Sequence, residues 1–260
     1  MTDVTRRHGD YTGLAQDYDR FRPGYAPSPL KALLALLDKP AAEVDAADVG
    51  AGTGIWTRIL AGQGLHTLTA VEPNEDMRRV GRDSSAGMPI DWRAGSGEAT
   101  GLEDGSRDLV TMASSFHWVD YEAGMKEFRR ILRPGGRFAA LWNPRLIEAS
   151  PILVDIENHL SQLCPGMKRV SSGRSGLTDH LTDRLAATPG FSDVVYMEAR
   201  EVMTRTPEEY LWAWRSVNDV QVQLGPERFE EFLGYAAKRI SDCAVIETVY
   251  LTRLWTVRKD

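Results

Sequence analysis

Apolar positions along this chain switch between helical and strand spacing. In PSPLKALLALLDK, Leu30, Leu33, Leu34 and Leu37 recur every three or four residues. Ser28 is placed to cap that helix and Pro29 to open it. EVDAADVG is a short apolar run ending at glycine and predicts a buried strand, followed by a helix over GIWTRILAGQ. HTLTAVE predicts a second strand. NEDMRRVGRD predicts the next helix, capped by Asn74 with Glu75 and Asp76 in its first turn. PIDWRAGS and RDLVTMASS predict the third and fourth strands. DYEAGMKEFRRIL predicts a helix capped by Asp120, with Met125, Phe128 and Leu132 on one face. An RPGG turn ends it, and RFAALW predicts a fifth strand.

Strands and helices therefore alternate strictly from about residue 44 to residue 143, an order that demands parallel strands with helices on both faces. The pattern then changes. Residues 144 to about 190 read as helix, basic Gly/Ser loop and helix. FSDVVYMEAREV predicts a sixth strand, and TPEEYLWAWRSV and GPERFEEFLGYAAKRIS predict helices. In AVIETVYLTRLWTVR, Val249, Leu251, Trp255 and Val257 share one side, which predicts a final, half-covered antiparallel strand at or near the sheet edge. The expected fold is α/β: a Rossmann-like, doubly wound, seven-stranded sheet, mostly parallel with its last strand antiparallel, and a helical insertion between strands five and six. The expected division is 1–143 for the N-terminal cover and ligand-binding core, 144–190 for the insertion, and 191–260 for the rest of the sheet and the late helices.

Composition narrows the function. The chain has 260 residues, a formal net charge of -6 and 42% hydrophobic residues, enough for a sizeable core without metal or disulfide support. Cys164 and Cys243 have no metal-ligand spacing. No stretch approaches the roughly 20 apolar residues of a membrane span, and MTDVTRRHGDYTG has no apolar signal region, so a cytoplasmic protein is expected. The acidic balance argues against sequence-independent nucleic-acid binding.

The chemistry concentrates in Asp48-Val49-Gly50-Ala51-Gly52-Thr53-Gly54, which joins the first strand to its helix. Glycine at every second position allows a tight turn and close approach of a ligand at the carboxyl ends of the strands. A dinucleotide fingerprint needs glycine or alanine where Ile55 stands, and a phosphate-binding P-loop needs a lysine that is missing here. Glu72, about twenty residues on, closes the second strand, where a carboxylate accepts hydrogen bonds from ribose hydroxyls.

DVGAGTG, VEPN, GSGEATGLEDGSRDLVTMASSFHWVD and LRPGGRFAALW together resemble the successive motifs of class I S-adenosylmethionine-dependent methyltransferases. AQDYDRFRPGYAPSPL resembles the cofactor-covering segment of a small-molecule, methyltransferase type 11-like branch. The resemblance spans about residues 11 to 143 and implies S-adenosyl-L-methionine as cofactor, with S-adenosyl-L-homocysteine as product. It implies that Gly50, Ala51 and Gly52 lie under the methionine part with Asp48 nearby, and that Glu72 takes the ribose hydroxyls. Pro73, Asn74 and Met77 would stand near adenine, with Gly97 and Glu98 on its other side. Ser114 and Ser115 would face the methionine ammonium, while Tyr18 and Arg22 close over the cofactor.

An acceptor pocket is expected above Ser114-Ser115-Phe116-His117-Trp118, with Phe116 by the sulfonium or acceptor, Tyr11 on the opposite wall, and Trp142, Asn143 and Arg145 facing the same crevice. His117 is the base candidate because its ordinary pKa lies near neutral, although a scaffold role stays open. Trp212 and Trp214 suit either a roof or a core, and Lys168, Arg169 and Arg174 suit either an anionic substrate or a solvated loop. Asn143-Pro144-Arg145 follows the fifth strand and matches only the start of the N/D-P-P-Y motif of nucleic-base and protein-glutamine methylation. Methylation of an O or N atom of a small metabolite, one of specialised metabolism, is thus the leading expectation, with homo-oligomerisation left open. A non-catalytic cofactor-binding protein and a nicotinamide dehydrogenase are the competing classes; Ile55 disfavours the latter.

Overall fold

The computed structural model describes residues 15–168 and 176–260. Its sheet has seven strands: β1 (Asp45–Val49), β2 (Thr67–Val71), β3 (Asp91–Arg93), β4 (Arg107–Ala113), β5 (Leu132–Trp142), β6 (Phe191–Arg205) and β7 (Ile246–Lys259). They lie in the order β3-β2-β1-β4-β5-β7-β6. β1 to β5 pair in parallel, and β7 runs antiparallel to both β5 and β6. The antiparallel last strand is as expected. It stands near the edge as expected, one place in, with β6 as the edge strand. That placement explains why most of β7 is buried while much of β6 is exposed or half-buried.

Helices cover both faces. α2 (Pro27–Ala35) and α3 (Ile55–Ala61) pack Leu30, Leu33, Trp56 and Leu60 on one side. α5 (Tyr121–Ile131) and α7 (Leu181–Ala186) pack Met125, Phe128, Leu181 and Leu185 on the other, against Phe138 and Trp255 of the sheet. Phe128 and Phe138 stack with centroids 4.6 Å apart, and the Phe116 ring meets Phe138 edge-on at 5.1 Å. α1 (Ala15–Phe21) and α4 (Glu75–Ser84) form a smaller contact in which Ala15 meets Met77 and Val80.

A third cluster lies apart from the sheet faces. α6 (Pro151–Leu163), from the insertion, shares one core with α8 (Pro207–Arg215) and α9 (Asn218–Arg239). Leu153, Ile156, Trp214, Phe229 and Phe232 are among its buried members. Two long connections at the carboxyl rim of the sheet thus build one helical layer over that rim.

Two helix starts differ from the sequence pattern. α2 begins at Pro27, and Ser28 makes no capping bond. The Ala26 N–H, one of the donors left without a helical partner at this end, donates to Thr252 Oγ1 of β7 at 2.9 Å. α9 begins at Asn218 and breaks at Gly225 (φ 72°, ψ 170°), where Pro226 opens its second part. No described helix is long and apolar enough to cross a membrane.

Phe138 is fully buried between the rings of Phe116 and Phe128. Phe138→Ala is expected to lower unfolding free energy by about 3–5 kcal/mol, read by urea denaturation; a loss below about 1 kcal/mol would mean this junction is not tightly packed.

Candidate active site

The register Val49↔Val71 brings β1 and β2 to the rim at the same level, so the glycine turn and Glu72 must meet there. The N–H groups of Gly50 and Ala51 donate to Val71 O at 2.8 and 3.1 Å and fold the turn back over β2. Gly50 and Gly52 have φ of 67° and 58°, in the left-handed region. A Cβ on Gly50 would lie 2.7 Å from Ser115 Cβ and Oγ, so glycine is required there by space as well as by φ.

Glu72 holds this turn. Its Oε2 accepts the Gly52 N–H and its Oε1 the Asn74 N–H, each at 2.8 Å. The side chain lines a cavity while only 7% of the residue is exposed. Burial raises its pKa, and the two N–H bonds pull the other way. Asn74 caps α4 as expected, its Oδ1 accepting the Met77 N–H at 3.0 Å.

The cavity has a volume of about 440 Å³ and runs along the rim. At one end it is lined by Gly50, Ala51, Gly52, Glu72, Pro73 and Met77, with Gly97 and Glu98 beyond β3. A Cβ on Gly97 would strike Val119 Cγ2 at 2.4 Å, so that wall is close-packed from behind. Glu98 Oε1 accepts the Asp120 N–H at 3.0 Å and fastens the loop to the start of α5. Tyr18 and Arg22 of the N-terminal segment also line the cavity. The Arg22 guanidinium stacks 4.8 Å from the Tyr18 ring, and its Nη2 donates to Ser216 O at 3.3 Å.

Ser114 and Ser115 form the middle of the wall. Ser114 has φ 54°, a costly conformation for serine, and is held by its N–H to Leu141 O at 2.7 Å. Its hydroxyl lies 3.0 Å from the Tyr25 hydroxyl, and Tyr25 packs edge-on to Trp56 with centroids 5.2 Å apart.

Four expected site residues lie elsewhere. Asp48 is buried beneath the turn rather than in the wall. Its carboxylate accepts from Thr57 Oγ1 at 2.6 Å and Thr111 Oγ1 at 3.1 Å, so it braces α3 and β4. Phe116 and Trp142 are 1% exposed and belong to the sheet core, because the turn after β4 directs Phe116 inward. His117 does not line the cavity; its Nδ1 accepts from Trp142 Nε1 at 3.3 Å. Burial depresses its pKa to about 4, with Asp219 opposing, so the imidazole is neutral at pH 7. Tyr11, Arg169 and Arg174 lie outside the described residues, and Lys168 exchanges backbone bonds with the Gln223 side chain instead of facing the cavity.

Asn143 and Arg145 do line the far end, with Trp214. Asn143 is spent on the scaffold, donating from Nδ2 to Gly24 O at 2.6 Å and accepting from Thr252 Oγ1 at 2.9 Å. Arg145 pairs with Glu157 of α6 and lies 4.3 Å from the Trp214 ring centroid. Trp212 is outside this wall. Sequence reasoning missed Tyr25, Arg205, Tyr210 and Tyr250 as wall residues, and named Trp118 without giving it a role. Trp118 was accessible from its place beside His117. Arg205, the last residue of a long edge strand, carried no local signal.

Residues 47–140 match a family model described as a methyltransferase domain. An uncharacterised methyltransferase of Mycobacterium tuberculosis (strain ATCC 25618 / H37Rv) is 40% identical over 129 residues, 49% of each chain. A ubiquinone/menaquinone biosynthesis C-methyltransferase of Methylobacterium nodulans is 43% identical over 101 residues, 36% of this chain and 40% of that one. The chain thus spans half or less of the length of the curated relatives it matches. Among solved structures, a candidate type II methyltransferase from Anaeromyxobacter dehalogenans superposes with a TM-score of 0.67 at 20% identity, covering 92% of this chain and 98% of that one. That likeness shows the fold.

Burial pushes the Asp48 carboxyl up from an ordinary 3.8 to about 7, against the bonds from Thr57 and Thr111. Between those values the folded chain keeps a proton that the unfolded chain has released, so this group's contribution to stability falls as pH rises. His117 has the opposite effect between about 4 and 6.5, because only the unfolded chain is protonated there. Asp48→Asn removes the first effect alone. Its stability relative to the parent should therefore rise from pH 4 to pH 7 with a slope of up to about 1.4 kcal/mol per pH unit. Denaturation midpoints across that range check this, and a pH-independent difference would overturn it.

Proposed function

We propose that this chain, whose residues 47–140 match the methyltransferase-domain model, is a class I S-adenosylmethionine-dependent methyltransferase that transfers the cofactor's methyl group to an O or N atom of a small-molecule metabolite. The observation that carries the reading is the meeting of Glu72 and the glycine turn in one wall of a cavity that continues past β4 to Asn143, Arg145 and Trp214. The residues fit the cofactor. Each Glu72 oxygen takes one backbone N–H and retains accepting capacity for ribose hydroxyls. The turn presents backbone without Cβ atoms at Gly50 and Gly52, where the methionine part would lie. Pro73 and Met77 on one side, with Gly97 and Glu98 on the other, give a slot for adenine. Arg22 supplies a cation for the amino-acid carboxylate, with Tyr18 beneath it.

When bound, S-adenosylmethionine supplies a methyl group on a sulfonium that leaves readily. The chain's task is then to hold the acceptor in line and exclude water, and alignment alone recovers roughly 7–11 kcal/mol of a bimolecular barrier. Ser114, fixed by Leu141 and Tyr25, lines the same cavity at the end of β4. The placement of His117 behind Trp142 argues for a positioning role: it steadies the turn that carries Trp118 on the cavity wall. Methyl transfer to carbon is a second reading, favoured by the relative that is a C-methyltransferase. That match, however, covers little more than a third of this chain.

Calorimetry with S-adenosyl-L-homocysteine is expected to give a Kd below about 1 mM, with Glu72→Ala or Gly50→Val weakening it at least about tenfold. Absence of binding at about 1 mM would overturn the reading. For His117→Ala, cofactor affinity should change less than about twofold while thermal stability falls; a large loss of affinity with unchanged stability would instead put the imidazole in contact with the ligand.

A further inference from the structure

The far chamber has a charge pattern that the methyl-transfer reading does not require. We infer that it recognises a small acceptor carrying a carboxylate, with Arg205 and Arg145 as the recognising pair. This deepens the proposed function and rests on it in naming the bound molecule an acceptor.

Both arginines are assembled around Tyr250. Arg145 forms an antiparallel bridge with Tyr250, and the flanking bonds Leu146 N–H to Val249 O (2.8 Å) and Leu251 N–H to Pro144 O (2.9 Å) fix that register. Arg205 ends β6, and its Nη1 donates to the Tyr250 hydroxyl at 3.0 Å. Exposed and half-buried residues make up β6 between its two buried ends, yet Arg205 itself is 7% exposed and lines the cavity.

Neighbouring carboxylates include Glu157, paired with Arg145; Asp219, buried near Arg145 and His117; and exposed Glu209 near Arg205. None of these three lines the cavity. The carboxylates in its described wall are Glu72 and Glu98, at the β2–β3 end. Among the described lining residues the far end thus carries Arg145 and Arg205 with aromatic side chains and no acid, and Glu157 holds Arg145 from outside the wall. A planar guanidinium fork matches carboxylate geometry. Tyr210 and Trp214 add flat apolar walls, the usual complement to a few fixed polar groups. A volume of about 440 Å³ shared by two ligands limits the acceptor to a small molecule. An ammonium-bearing acceptor would face like charge here.

The test is calorimetry on protein loaded with S-adenosyl-L-homocysteine. Benzoate, 3-phenylpropanoate and hexanoate are each titrated against the corresponding amide and primary amine. At least one acid is expected to bind about tenfold more tightly than its amide, with the amine weakest. Arg205→Gln should erase that preference while leaving homocysteine-cofactor affinity within about twofold, and Arg205→Lys should restore part of it. If Arg205→Gln fails to fold, the Arg145→Gln/Glu157→Gln pair tests the same chamber without leaving Glu157 charged and unpaired. No acid preferred over its amide, or a preference that survives these changes, overturns the inference. If S-adenosyl-L-homocysteine fails to bind, the methyl-transfer reading falls; the same titrations on unloaded protein then decide the carboxylate preference by itself.

Discussion

The site depends on one buried carboxylate that bonds to backbone. Glu72 spans the gap between two crossovers of the sheet, taking an N–H from the glycine turn and another from the start of α4. A carboxylate so enclosed is expensive to keep charged, and the two donors are what make it tolerable. The left-handed glycines are the other half of the constraint. They turn the Gly52 N–H toward Glu72, and no side chain could stand at Gly50 without displacing Ser115. The strand register, the turn and the acid thus enforce one another.

The end of the cavity around the glycine turn was legible in the sequence because its determinants are local. A glycine turn, a strand-ending acid and an Asn cap each follow from a few adjacent residues, and the alternation of β and α elements places them at a common rim. Even there Asp48 was misplaced. Strand alternation says which face a side chain takes but not whether Thr57 and Thr111 wait there to receive it. Phe116 and Trp142 failed similarly: proximity to the crevice in sequence did not reveal that their rings turn into the sheet core.

The far chamber was much less legible, for a physical reason. Its walls come from the turn after β5, the end of β6, α8 and the start of β7, which are brought together by β7 inserting between β5 and β6. Arg145 could be found because it follows a strand. Arg205 and Tyr250 belong to one another only through a cross-strand contact that no spacing rule encodes. The same limit applies to the helical layer, where α6 joins α8 and α9 across a long stretch of chain to bury one apolar cluster.

α1 links these two halves. Asp19 pairs with Arg58 of α3 and accepts from Ser84 of α4, while Arg22 reaches the Ser216 carbonyl at the end of α8. The last of these ties ends on a main-chain oxygen, which is kept whatever residue occupies position 216. Inward-facing side chains of α8 can therefore drift toward new molecules over evolutionary time without cutting the tether that moors this roof to the glycine-turn end.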